Sequence, residues 1–202
     1  LPFYEYLVSN ISANNFLFSN TDFSHFFFFN QPVSSLPCFP GLDFNGSTAS
    51  KKLDSDINQS PTFPLSRLFT NYECYLSESK YLLLKVDTDG FDPDVLFSLD
   101  SYISRSNLII FFELQISNPH QLHQYQQVFS YFSPHFSKIA IFTNLGKSSY
   151  NGPLSYDIYN SFCMCAARNL AKNKQPVYFD CLLYPNEITD IVLKALHDLS
   201  SV

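Results

Sequence analysis

Apolar and polar positions along this chain alternate between two periods. Phe3, Leu7 and Ile11 fall at helical spacing and predict a short opening helix. His25 to Val33 is a strongly apolar run that predicts a buried strand ending near Asn30. Residues 36–62 are rich in Pro, Gly, Ser, Asp and Asn and predict a loop with a marginal hairpin. Pro61 to Leu65 reads as a short edge strand, followed by a helix over Ser66 to Tyr72.

The centre of the chain is the most sharply patterned. Tyr81 to Val86 is apolar apart from Lys85 and is stopped by Asp87-Thr88-Asp89-Gly90. Asp92 before Pro93 suits an N-cap and first turn, and Val95, Leu96, Leu99 and Ile103 then make one helical face. Asn107 to Leu114 predicts a second buried strand carrying Glu113 at its end. A helix with the stripe Leu122, Tyr125, Phe129 and Phe132 comes next, then a strand over Lys138 to Thr143 closed by Asn144-Leu145-Gly146. A helix near Ser155 to Ala171, a strand over Val177 to Leu183 and an amphipathic helix through Ile188, Ile191, Ala195 and Leu199 complete the order. Strands alternating with helices, and apolar on both faces, predict one α/β domain over residues 1–202, its mainly parallel sheet covered on both sides.

Composition narrows the partners. Of 202 residues 46% are hydrophobic and only 15% charged, which excludes a disordered chain. The longest apolar runs fall far short of the roughly 20 residues that span a bilayer, so no membrane span is expected. Net charge is −6 with scattered Lys and Arg, which argues against a nucleic-acid backbone as partner. Five cysteines without C-x-x-C spacing read as reduced and structural, which favours a cytoplasmic setting. The three N-x-S sequons at Asn10, Asn45 and Asn58 are expected by chance in a chain so rich in Asn and Ser.

Candidate chemistry gathers at strand ends, where ligands of open α/β sheets bind. Asn30-Gln31, Asp87 with Asp89, Glu113 and Asn144 occupy four such ends. For Asp87 and Asp89, function and helix capping stay equally open; for Asp92, capping is the better reading. Glu113 interrupts an apolar strand, and burying an unpaired carboxylate costs several kcal/mol, so it needs an opening or a partner. Lys85 shares strand parity with Asp87, which suits a structural ion pair as well as a catalytic role. His120 and His123 lack a third ligand nearby and read as a surface pair. No two of the five glycines form G-x-G, so the usual cofactor loop of a nucleotide-binding fold is missing.

The block KVDTDGFDPDVLFSLDSYISRSNLIIFFELQ resembles the FkbM-type methyltransferases, which use S-adenosylmethionine. Lys85, Asp87, Asp89, Gly90, Phe91 and Asp92 match that family's strand-end motif, and Phe112-Glu113 its next strand end. IFTNLG at Ile141 to Gly146 and VYFDCLLYP at Val177 to Pro185 resemble its later strands. FYEYLVSNI resembles the helix after its second strand, and PTFPLSRLF a segment in which Ser66 stands for the usual Asp. The resemblance implies a Rossmann-like class I methyltransferase fold, truncated at its N-terminus so that the first strand and Gly-rich loop precede Leu1. It implies cofactor contacts at Asn30 and Gln31 and catalytic roles for Asp87, Asp89 and Glu113. Lys85 and Asn144 would meet a small-molecule or glycan acceptor, methylated on a sugar, lipid or natural-product hydroxyl. Rival readings are an inert fragment of such an enzyme, or a magnesium-dependent phosphohydrolase or glycosyltransferase built on Asp87-x-Asp89.

Overall fold

The computed structural model describes residues 38–39, 42–45, 48–51, 60–61, 63–88, 91–168 and 177–200, all within one compact unit, Val33–Val202. The opening helix and the His25 to Val33 strand lie outside the described residues.

Two small antiparallel ladders come first. β1 (Cys38–Phe39) pairs β4 (Ser60–Pro61), and β2 (Leu42–Asn45) pairs β3 (Thr48–Lys51), the hairpin expected within 36–62. The main sheet has five strands: β5 (Leu82–Val86), β6 (Leu108–Gln115), β7 (Lys138–Thr143), β8 (Ser148–Pro153) and β9 (Tyr178–Tyr184). Their order across the sheet is β5-β6-β9-β7-β8. The helices are α1 (Leu65–Asn71), α2 (Glu73–Glu78), α3 (Asp92–Phe97), α4 (Pro119–Phe132), α5 (Tyr156–Arg168) and α6 (Thr189–Ser200).

The expected mainly parallel, Rossmann-like sheet is not what forms. Among the described residues only β5 and β6 pair in parallel; β6–β9, β9–β7 and β7–β8 are all antiparallel. Two local causes account for this. β9 inserts between β6 and β7 and runs against both. Asn144-Leu145-Gly146 does not end the ladder after β7 but turns the chain back into β8, with Gly146 at φ +74° supplying the left-handed turn residue. β5, β6 and β7 still point the same way, because β9 reverses direction twice relative to its neighbours.

Alternation sorts the sheet into two unequal faces. Val86, Ile110, Phe112, Leu114, Ile139, Ile141, Cys181 and Leu183 point into the main core. They meet Leu65 and Phe69 of α1, Val95 and Leu96 of α3, Tyr125, Val128 and Phe132 of α4, and Tyr159, Cys163 and Ala166 of α5. In α1, α4 and α5 those residues recur at three- and four-residue spacing, so each of these helices turns one apolar stripe to the sheet. The opposite face carries a smaller core: Ala140 and Tyr184 bury Ile188 and Val192, with Ile109, Phe142 and Leu182 packed around them. Leu83, on that same face of β5, is 67% exposed. The four residues expected on one helical face after Pro93 are all buried, but the helix stops at Phe97. It resumes as a 3-10 turn over Asp100–Ser104, with Asp100 at φ 50°.

Candidate functional site

The unequal faces place the charged residues. Lys85 pairs with Phe111 in the β5–β6 register, Phe111 with Leu182, and Leu182 with Ala140, so these four lie abreast on the partly open face. One step toward the carboxyl end of β6, Glu113 pairs with Asp180 and Asp180 with Phe142. Extending the β5–β6 register by one residue sets Asp87 beside Glu113. Asp87, just past the end of β5, therefore forms a lateral row of carboxylates with Glu113 of β6 and Asp180 of β9, with Lys85 one step behind. Like charges directly opposite one another in a sheet are destabilising, so this row works against folding.

Lys85 is its local counter-ion. Its Nζ donates to Asp87 Oδ2 at 2.8 Å, with both side chains more than half exposed. That bond raises the Lys85 pKa; burial opposes it, and the charges of Asp87, Asp180 and Glu113 add to it. An exposed pair of this kind contributes about 0–1 kcal/mol. The Asp180 carboxyl is pushed up by burial and then by the negative charge of Asp87, while Lys85 pulls it down.

A cavity of about 360 Å³ adjoins the row. Five consecutive residues, Leu84, Lys85, Val86, Asp87 and Thr88, line it with Leu65 and Val95. Successive strand residues face opposite ways, so a space touching all five runs along the outer edge of β5 rather than over one face. Asp87 stands where this cavity meets the carboxylate row; Glu113 and Asp180 are absent from the lining.

The end of β6 is held from beneath. β5 stops at Val86, and side chains take over the β6 backbone groups beyond it. Glu113 N–H donates to Asp92 Oδ1 at 3.0 Å, and the Tyr125 hydroxyl donates to Glu113 C=O at 2.7 Å. Gln115 N–H donates to that same hydroxyl at 3.3 Å. Asp92 is fully buried and also accepts from Thr88, from Oγ1 at 2.8 Å and from N–H at 3.3 Å. Burial pushes its carboxyl up, and these hydrogen bonds partly offset the rise. The expected N-cap is thus the first residue of α3, its side chain turned inward to the sheet. On the same helix, buried Asp94 accepts from Gln124 Nε2 at 3.0 Å and ties α3 to α4.

The structure therefore brings together Lys85, Asp87 and Glu113 of the expected site. Asn144 lies at the same end of the sheet but outside the row, exposed in the β7–β8 turn two residues past Phe142. Asp89, Asn30 and Gln31 lie outside the described residues. Asp180 was not anticipated, although it breaks the apolar strand VYFDCLLY just as Glu113 breaks LIIFFELQ. His120 and His123 are both exposed on α4. Among the described residues no three His, Cys, Asp or Glu are placed to hold a metal ion, and no helix is long and apolar enough to cross a membrane. Compared with family models, with curated proteins and with solved structures, the chain matches none.

Proposed function

We propose that the chain is an S-adenosylmethionine-dependent methyltransferase acting on a hydroxyl of a sugar, lipid or natural product, with Asp87 at its centre. The observation that carries this reading is the row Asp87, Glu113 and Asp180 beside a cavity at the end of β5. Two features fit the cofactor. Its sulfonium is cationic, and a carboxylate row of net negative charge attracts a cation. The cavity volume lies within the range of about 300–1,000 Å³ typical of small-molecule sites. The resemblance of residues 85–115 to the FkbM-type motif supports the same reading.

S-adenosylmethionine supplies the methyl group when bound. The residues of this chain have three tasks. Asp87 orients an acceptor hydroxyl and takes its proton, being exposed at the cavity rim and free to exchange its Lys85 partner for a ligand. Once Asp87 is protonated it no longer offsets Lys85, whose charge is then met by those of Asp180 and Glu113. Glu113 and Asp180 keep the neighbouring surface negative.

The test is methyl transfer from radiolabelled S-adenosylmethionine to a panel of polyol, saccharide and lipid acceptors. Asp87→Asn keeps the shape and removes the base; its turnover is expected to fall about 10²–10⁴-fold while its denaturation midpoint stays close to the parent. Unchanged turnover in Asp87→Asn removes Asp87 from the mechanism.

A further inference from the structure

We propose that Asp92 is a positioning residue that couples the Asp87 turn to the end of β6, so that Asp87 and Glu113 are held as one unit. The inference rests on the reading that these two carboxylates serve one site.

Asp92 reaches both sides of the gap left where β5 stops. Its Oδ2 takes the side chain and N–H of Thr88, the residue after Asp87, and its Oδ1 takes the N–H of Glu113. Thr88 Oγ1, Thr88 N–H and Glu113 N–H all donate to this carboxylate, so one buried acceptor bridges the turn after β5 and the end of β6. A residue that merely started α3 would need only local backbone donors. Tyr125 completes the hold by taking the opposite polar group of Glu113, its carbonyl. With N–H and C=O both bound, Glu113 has little freedom to turn its side chain away from the row. β9 pairs Glu113 from the other side, but on this side β5 supplies no restraint, since its last paired residue is Val86.

Coupling of this kind predicts communication between Thr88 and Glu113 through one side chain. Amide hydrogen exchange, followed residue by residue by NMR on the whole chain, reads it without any ligand. Asp92→Asn turns a donor toward donors, and the Glu113 amide is expected to exchange about tenfold faster, beyond any change at Ile110 and Phe112. Because that variant can fail to fold, Thr88→Val is the second arm: it deletes one bond to Asp92 and leaves Glu113 untouched. Thr88→Val should still speed exchange at Glu113 about threefold, and Thr88→Ser, which keeps the hydroxyl, should restore the parent rate. A Glu113 amide that ignores Thr88→Val, or that shifts only in step with Ile110 and Phe112, overturns the coupling. If methyl transfer is absent from the parent chain, the functional reading falls and the exchange result still stands or falls alone.

Discussion

The two faces of the main sheet are built from the same strands and do opposite things. One face is a closed apolar layer: Ile110, Phe112, Leu114, Ile139, Ile141, Cys181 and Leu183 are all fully buried beneath helices α1, α3, α4 and α5. Among the described residues the other is covered by α6 near β7, β9 and Ile109 of β6, and toward β5 it leaves Leu83, Lys85 and Asp87 in solvent. Stability resides on the closed face. The open face spends some of it, by setting three carboxylates abreast with one lysine. A row of like charges that costs folding energy, held in place by fully buried Asp92 and Tyr125, marks the place where this fold departs from its own stability optimum.

Substitutions at matched positions of β6 break the comparison most severely. Phe112 is fully buried with its ring 5.9 Å from that of Phe132, and Phe112→Ala is expected to cost about 3–5 kcal/mol. Its neighbour Phe111, half-buried on the open face, should cost about 1 kcal/mol as Phe111→Ala. Equal losses in urea titrations of the two variants would erase the distinction between faces. Next in size is Tyr125→Phe, which leaves Glu113 C=O and Gln115 N–H without their shared hydroxyl. A loss of about 1–3 kcal/mol is expected, and a neutral result would show that water replaces the hydroxyl at no cost.

A pH slope also belongs to the closed face. Burial pushes the Cys163 thiol from its usual 9.0 up to about 12. Between those values the folded chain holds a proton that the unfolded chain has lost, so this contribution to stability is full below pH 9 and disappears as pH rises toward 12. Cys163→Ala should flatten the alkaline slope of the denaturation midpoint; an unchanged slope would assign it to other groups. At neutral pH an alkylating reagent should modify exposed Cys74 and Cys165 before Cys163 or Cys181, which are buried.

Most elements were legible because their periodicity is strong. The apolar runs at Tyr81 to Val86, Asn107 to Leu114, Lys138 to Thr143 and Val177 to Leu183 all became strands of the main sheet. The stripe from Leu122 to Phe132 became α4. Strand direction was not legible. Side-chain alternation is the same whichever way a neighbour runs, so nothing in VYFDCLLY signals that β9 opposes both β6 and β7. β8 was missed because SSYNGP lies at the sheet's edge, where mostly exposed residues carry no apolar run. A run such as LLLKV also implies burial on both faces, yet burial along β5 alternates, because its own side of the open face lies beyond the cover of α6.

The site was partly legible for the same reasons. Lys85 and Asp87 were expected to lean to one face by parity, and they meet at 2.8 Å. Glu113 was expected to need an opening or a partner, and it lies half-buried on the less covered face. The lateral row could not be read, because it requires knowing that β9 pairs with β6 in a register opposing Asp180 to Glu113. The role of Asp92 was hidden by its position: Asp before Pro at a helix start satisfies a local rule completely, and nothing local announces a bond to β6.

Calorimetric titration of the chain with S-adenosylhomocysteine tests the central claim most directly. The account predicts saturable binding at one site per chain. Heats indistinguishable from dilution across the titration would contradict it.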